Sequence, residues 1–205
     1  MIEPRDSGRL FRRGLHLEYL TVGYNVLEAV AAIAFGRMAD SIALVGFGLD
    51  SVVESLSGLV LIWRLRKHGK STDEEEERFE RRAEIFVAVT FLVLAAYVLY
   101  ESLHKLLTRE VTSPSLPGII LAAVSLIIMP LLAWAKTRVA RQIDSRAMLA
   151  DAKESIACAF LSAALLVGLG GNQLFHFQWA DPLAGFVIVF FLAREGIEGL
   201  AEGRG

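Results

Sequence analysis

The chain has little of what soluble catalytic and nucleic-acid-binding domains require. Its 205 residues include one cysteine and four histidines, and its formal net charge is −2. One cysteine excludes a disulfide framework and a cysteine-rich zinc domain, and the negative net charge excludes nucleic-acid binding through bulk positive charge. No two histidines are spaced as a ligand pair, and the sequence contains no nucleophile with its base, phosphate-binding loop or nucleotide fingerprint. We therefore predict that the chain is not an enzyme and binds no cofactor.

What the chain has in excess is apolar residues. Hydrophobic residues make up 54% of it and the mean hydropathy is +0.48, which is too apolar for an average soluble domain. Six candidate membrane spans cover 125 residues but hold only 13 of the 44 charged residues. The spans are residues 15–36, 41–63, 84–104, 118–135, 148–168 and 179–198.

Each span has about 18 to 23 residues, close to the roughly 20 that a helix needs to cross the hydrocarbon core. The sequence therefore predicts an all-α polytopic membrane protein with six transmembrane helices. Only about seven residues follow the sixth span, so we expect residues 1–205 to form a single transmembrane domain without a soluble carboxy-terminal domain.

The distribution of Lys and Arg between the loops predicts the orientation in the membrane. Sixteen of them lie before the first span, between spans two and three, between spans four and five, or after span six, whereas only three lie in the opposite set of loops. By the positive-inside rule, both termini are cytoplasmic. We expect the protein to lie in a cell membrane, most simply a bacterial inner membrane.

Three further segments predict local structure near the span ends. Asp181-Pro182 is typical of an N-cap followed by proline in the first helical turn, an interpretation we favour over a ligand role for Asp181. Residues 73–82 are interpreted as a solvated helical lead-in to span three, with a cation-collecting mouth as the alternative. Gly170-Gly171-Asn172 predicts the end of the fifth helix.

Two acidic residues lie deep within the second span. Asp50 and Glu54 are near its middle, and their four-residue spacing places both on one helical face. A carboxylate near the bilayer centre costs about 2.5 to 3.5 kcal/mol on insertion scales, so such residues are functional candidates by default. Five other acids fall within a turn or two of a span end and are predicted to be interfacial. They are Glu18, Glu84, Glu101, Glu195 and Glu198.

The fifth span carries a similar polar face. Asp151 and Glu154 are three residues apart, Cys158 follows four residues later, and Lys153 lies beside them. One interpretation is that the carboxylates ligate a metal ion. The other is that they are protonated or paired with Lys153 and hold helices together, while Cys158 is a small packing residue.

Packing of spans two and five would bring Asp50, Glu54, Glu154 and Cys158 into a four-ligand site for a divalent metal, with Asp151 beside them. Zinc accepts carboxylate and thiolate ligands in tetrahedral geometry, whereas an all-oxygen site favours manganese or magnesium. Cys158 therefore favours zinc, cadmium or ferrous iron.

Glu28 lies about two-thirds of the way through the first span. It is interpreted either as a second cation contact or proton acceptor, or as a protonated acid in an interhelical hydrogen bond. Small residues in span two predict close helix contact that would crowd the carboxylates together. They are Gly46, Gly48, Ser51, Ser55 and Gly58.

At these residues the sequence resembles the cation diffusion facilitator family of divalent-metal transporters. Ser41-Ile42-Ala43-Leu44 leading into Asp50-x-x-x-Glu54 is similar to the family's second-helix motif, which carries two metal ligands four residues apart. Leu149-Ala150-Asp151-Ala152-Lys153-Glu154-x-x-x-Cys158 is similar to the fifth-helix motif, and Ala180-Asp181-Pro182 to the start of the sixth helix. The resemblance covers nearly the whole chain.

The sequence departs from the family pattern at the ligands. Glu54 replaces the usual aspartate, Glu154 stands at the customary histidine or aspartate position, and Cys158 at that of an aspartate. The family's cytoplasmic metal-binding domain has no counterpart in this sequence. These departures concern the residues that select the metal, and not those that indicate the family.

The resemblance implies a homodimer in the lipid bilayer that exports a divalent metal in exchange for protons. Zn²⁺ is the favoured substrate, with iron, manganese, cobalt and cadmium as alternatives. Physical reasoning points the same way, because an empty site cannot keep several negative charges inside the membrane and should take up protons when the metal leaves. The alternative function is a non-transporting membrane scaffold or metal sensor with a degenerate site.

Overall fold

The computed structural model describes residues 4–67, 73–108, 113, 115–175 and 179–202. These residues form six α-helices, and no strand occurs among them. The helices are α1 (Pro4–Met38), α2 (Ile42–Lys67), α3 (Asp73–Thr108), α4 (Leu116–Ile143), α5 (Arg146–Phe175) and α6 (Ala180–Glu202). The predicted all-α fold is confirmed, and each predicted span falls on one helix in the expected order.

Five of the helices, α1 to α5, are long and apolar enough to cross a membrane. The sixth predicted span corresponds to α6, which has 23 residues but does not meet the same criteria. Its apolar part is short, because Asp181 lies in its first turn and Arg194, Glu195 and Glu198 occupy its last turns. The twelve residues between these charges extend only about 18 Å at 1.5 Å per residue.

The helices pack as three antiparallel pairs: α1 with α2, α3 with α6, and α4 with α5. Glycines allow the closest approaches. A Cβ atom at Gly48 of α2 would lie 2.8 Å from Ile33 Cγ1 of α1, and one at Gly58 would lie 2.6 Å from Val22 Cγ2. The predicted role of these two glycines in close helix contact is confirmed.

Helix α2 lies at the centre of the bundle. It contacts α1, α3, α5 and α6, so the predicted packing of spans two and five is confirmed. Its buried face includes Phe47 and Val53, which join Leu161 and Leu165 of α5 and Ile188 of α6 in the apolar core. Polar side chains of α2 and α5 are therefore held inside an apolar surround.

The antiparallel order places the start of α1 and the end of α6 at the same end of the bundle. We call it the basic end, because Arg64, Arg138 and Arg141 lie there in the last turns of α2 and α4. The positive-inside rule predicts that the basic end faces the cytoplasm.

Asp181 caps a different helix from the one predicted. Helix α6 begins at Ala180, so Asp181 is inside its first turn. The Asp181 carboxylate accepts hydrogen bonds from Ser41 Oγ and, at 3.0 Å, from the backbone N–H of Ile42, and it lies 3.8 Å from Lys105 Nζ. The prediction that Asp181 is the N-cap of its own helix is wrong, because the starts of α2 and α6 are adjacent and the carboxylate satisfies a free N–H of α2.

Helix α5 does not end at Gly170-Gly171-Asn172 as predicted, but continues to Phe175. In an apolar environment a helix retains its internal hydrogen bonds even through glycine, because the freed backbone groups would find no other partner. Residues 73–82 are helical, as predicted, although their side chains lie outside the described part of the structure. His68 and His176 also lie outside it.

Candidate metal site

A small cavity of about 10 Å³ lies between α2, α3, α5 and α6, which is about the space that one water molecule requires. Four acidic residues line it: Asp50, Glu54, Glu154 and Glu195. The rest of its wall is apolar and consists of Phe91, Ala157, Leu161 and Phe191. The cavity thus concentrates four carboxyl groups from three helices in an apolar surround.

A serine of α5 holds one acid of α2 in place. Glu54 Oε1 accepts a hydrogen bond of 3.0 Å from Ser155 Oγ. In the described part of the chain, the buried atoms Glu54 Oε2 and Glu154 Oε2 have no hydrogen-bond partner. Asp50, which the four-residue spacing places on the same face of α2 as Glu54, is only 7% exposed. Buried carboxylate oxygens without donors are suited to bind a cation.

The carboxylates line one cavity but do not yet form a closed coordination shell. Among the described residues, no three Asp, Glu, His or Cys side chains are grouped closely enough to hold a metal ion as they stand. Coordination of a shared ion would require these side chains to rotate toward it.

Asp151 faces away from this cavity toward α1 and α4. Its carboxylate is paired with Lys136 of α4, whose Nζ atom also lies 3.3 Å from Glu18 Oε2 of α1. Glu18 and Lys136 have no exposed surface and Asp151 is only 4% exposed. We call Glu18, Lys136 and Asp151 the buried triad. The structure thus brings Asp151 near the predicted site but gives it a lysine partner.

Cys158 lies outside the small cavity and faces Glu28 of α1. Its side chain is 1% exposed, and its Sγ atom is 3.9 Å from Glu28 Oε2. Of the four predicted ligands, Asp50, Glu54 and Glu154 therefore line one cavity, whereas Cys158 does not.

Glu28 takes part in interhelical hydrogen bonds. Its Oε1 atom accepts a bond of 3.1 Å from Tyr24 OH, and its Oε2 atom accepts one of 2.9 Å from Ser51 Oγ. Tyr24 OH in turn lies 2.6 Å from Ser125 Oγ of α4. These bonds favour the second interpretation of Glu28, a polar contact that joins α1, α2 and α4.

A larger cavity of about 580 Å³ opens at the basic end. Arg64, Lys153 and Arg194 lie on its wall, and it shares Glu154 and Glu195 with the small cavity. Lys153 is exposed there, so it does not supply the buried positive charge that the sequence suggested. The buried positive charge beside Asp151 is that of Lys136.

Five acids are predicted to lie near the membrane interfaces, and the structure shows how far three of them are buried in the bundle. Glu18 is fully buried, Glu195 is partly buried and lines both cavities, and Glu198 is exposed and pairs with Arg194. The depth of these acids in the membrane stays a prediction. Glu84 lies outside the described side chains. The signal for Glu195 was the spacing of the buried positions Ile188 and Leu192, since residue 195 continues that face of α6.

A family model described as "cation efflux transmembrane domain" matches residues 19–203, which is most of the chain. The chain belongs to the cation efflux family. This finding confirms the resemblance inferred from the sequence, and it agrees with the prediction that the protein is not an enzyme.

Individual relatives are distant. The manganese efflux system protein MneS of Bacillus subtilis is 26% identical over 83% of this chain and 60% of its own length. Transmembrane protein 163 of Xenopus laevis is 23% identical over 98% of this chain and 71% of its own length. The magnetosome protein MamB of Magnetospira is 26% identical over 88% of this chain and 61% of its own length. The chain thus spans about three fifths to seven tenths of the length of these relatives.

Proposed function

We propose that the protein is an efflux transporter for a divalent metal cation, with Asp50, Glu54, Glu154 and Glu195 as its ligands. The observation that carries the proposal is the small buried cavity onto which four carboxyl groups from α2, α5 and α6 open. Two of these groups have a buried oxygen without a hydrogen-bond donor in the described structure. A divalent cation is the partner that such a cavity suits best, and the family is one of cation efflux.

The proposed ligands favour Mn²⁺ over the Zn²⁺ that the sequence suggested. The case for zinc depended on the Cys158 thiolate, but Cys158 does not line the cavity. Four carboxylates provide only hard oxygen ligands, which suit manganese in octahedral geometry. The relative named as a manganese efflux system protein supports this choice.

The larger cavity provides a route from the basic end to the site, because it reaches Glu154 and Glu195. Release toward the opposite end then requires the helices to rearrange around the fixed ligands. Exchange for protons follows from charge: four ionised carboxylates cannot stay together in an apolar cavity after the metal has left, so protons must replace it. The homodimer that the family implies stays a prediction.

Flux measurements on purified protein in proteoliposomes test the proposal. A panel of Mn²⁺, Zn²⁺, Fe²⁺, Co²⁺ and Cd²⁺ is supplied on one side, and metal uptake is recorded together with the internal pH. We expect metal movement coupled to proton movement in the opposite direction, with Mn²⁺ among the fastest substrates. Asp50→Asn and Glu154→Gln should each abolish it.

The matched control is Asp144→Asn, because Asp144 is exposed and lines neither cavity, and asparagine tolerates its left-handed backbone conformation. This variant should transport as the wild type does. Metal binding without any flux across the whole panel would instead support the sensor or scaffold function.

A further inference from the structure

The buried triad places a lysine deep inside the bundle. Lys136 has no exposed surface, and its ammonium pairs with Asp151 of α5 and lies 3.3 Å from Glu18 Oε2 of α1. In the described part of the chain, both Glu18 oxygens and Asp151 Oδ1 lack a hydrogen-bond partner. Two acids therefore share one cation, and the triad carries excess negative charge when both are ionised.

A serine joins the triad to the proposed metal site. Ser155 Oγ lies 3.5 Å from Lys136 Nζ and donates to Glu54 Oε1 at 3.0 Å. The ammonium is thus separated from a proposed ligand by one hydroxyl group. At such distances inside a protein, charges interact strongly because little water screens them.

We propose that Lys136 is a resident counter-cation of the metal site, a positioning residue that acts through Ser155 on Glu54. Its positive charge stabilises the Glu54 carboxylate when no metal is bound and repels a metal ion when one enters. Lys136 therefore weakens metal binding and speeds metal release. This inference rests on the proposed function, since it concerns the same site.

A purely structural role for Lys136 predicts different behaviour. If the triad only held α1, α4 and α5 together, removing either of its charges would disturb the site and weaken metal binding in both cases. A counter-cation predicts effects of opposite sign. Loss of the lysine tightens metal binding, and loss of Glu18 weakens it, because the lysine then has one acid fewer to neutralise its charge.

The test is equilibrium Mn²⁺ binding by calorimetry, together with Mn²⁺ flux, on the full chain in lipid nanodiscs and proteoliposomes. Lys136→Met should lower the dissociation constant by about tenfold and slow transport, because release is slower. Lys136→Arg retains the positive charge, so its dissociation constant and its transport rate should match those of the wild type. Glu18→Gln should raise the dissociation constant by about threefold or more.

Lys105→Met is the matched control, because Lys105 is also a buried lysine paired with an aspartate, Asp181. Asp181 and Glu195 are fourteen residues apart on α6, or about 21 Å, so this variant should leave the Mn²⁺ dissociation constant unchanged even if it lowers stability. If Lys136→Met does not fold, Lys136→Gln, which keeps a hydrogen-bond donor toward Asp151, provides the same comparison: tighter Mn²⁺ binding supports the inference, and weaker or unchanged binding overturns it.

Weaker or unchanged binding in Lys136→Met, or unchanged binding in Glu18→Gln, would overturn the inference while leaving the proposed function in place. Wild-type protein that neither binds nor moves any metal of the panel would overturn the proposed function and this inference with it.

Discussion

At the scale of single residues, helical spacing predicted three of the four acids that line the small cavity, Asp50, Glu54 and Glu154. It did not predict that the polar side chains of α5 face two different directions. Asp151, Glu154 and Cys158 were assigned to one face because they are three and four residues apart. At about 100° per residue, however, Glu154 points roughly 60° away from Asp151 and 40° away from Cys158. That angle is enough to direct Glu154 into the cavity and the other two toward α1 and α4. The sequence shows how far apart these residues are around α5, but the packing of the neighbouring helices determines which of them face the site.

Glu195→Gln tests the ligand that the sequence did not predict. Because Glu195 lines the cavity with Asp50 and Glu54, losing its charge should weaken Mn²⁺ binding by about tenfold or more, which corresponds to about 1.4 kcal/mol. Calorimetric titration measures the change. Glu198→Gln, one turn further along α6, removes the same charge from an exposed position that lines only the larger cavity and should change the affinity by less than about twofold. Equal effects in the two variants would exclude Glu195 from the site.

Cys158→Ser tests whether the thiol of Cys158 is a metal ligand, as a zinc site would require. Serine retains a hydrogen-bond donor toward Glu28, and the thiol does not line the cavity, so Mn²⁺ affinity should change by less than about threefold. If Cys158 were instead a zinc ligand, loss of its thiolate would cost Zn²⁺ affinity by about 100-fold or more. Parallel Mn²⁺ and Zn²⁺ titrations of the variant distinguish the two outcomes.

At the scale of helices, the membrane spans were predicted correctly where the apolar stretch is long, in α1 to α5. The prediction was less complete for α6, whose apolar stretch is shortened by charged residues. Helices α1 to α5 correspond to strongly apolar spans, and each extends beyond its span because polar residues can continue a helix outside the hydrocarbon core. The capping role of Asp181 was assigned to the wrong helix, since its target, Ile42 N, lies 139 residues away in sequence. Local motifs predict that a free N–H needs a partner, but not which helix lies next to the carboxylate.

The close packing of α1 against α2 can be tested at Gly48. A Cβ atom there would lie 2.8 Å from Ile33 Cγ1 and 2.9 Å from Ala32 Cβ, so Gly48→Ala should destabilise the bundle by about 1 to 3 kcal/mol and weaken metal binding by displacing Asp50. Unfolding in mixed detergent measures the stability. Gly23→Ala is the control, because nothing lies within 4 Å of a Cβ at that position, and the higher helix propensity of alanine should leave its stability unchanged or raise it by up to about 1 kcal/mol. Similar losses in both variants would show that the α1–α2 contact at Gly48 does not explain the effect.

At the scale of the whole molecule, the positions of the two cavities matter more than any single contact. The larger cavity opens only a few turns from the basic end and shares Glu154 and Glu195 with the small cavity. The sequence predicted the order of the helices, but not the pairs α1–α2, α3–α6 and α4–α5, and the orientation of the basic end in the membrane stays a prediction. Those pairs depend on contacts between residues far apart in sequence, such as Gly196 with Leu92.

This arrangement predicts which side of the membrane reaches the larger cavity. In a Cys158→Ser background, Lys153→Cys places one thiol on the wall of that cavity, whereas Ser113→Cys places one at the opposite end, and both native residues are exposed. If the basic end is cytoplasmic, a membrane-impermeant maleimide should label Lys153→Cys in inside-out vesicles and Ser113→Cys in right-side-out vesicles. The reversed pattern would place the basic end outside and contradict the predicted orientation, and the larger cavity would then open to the exterior.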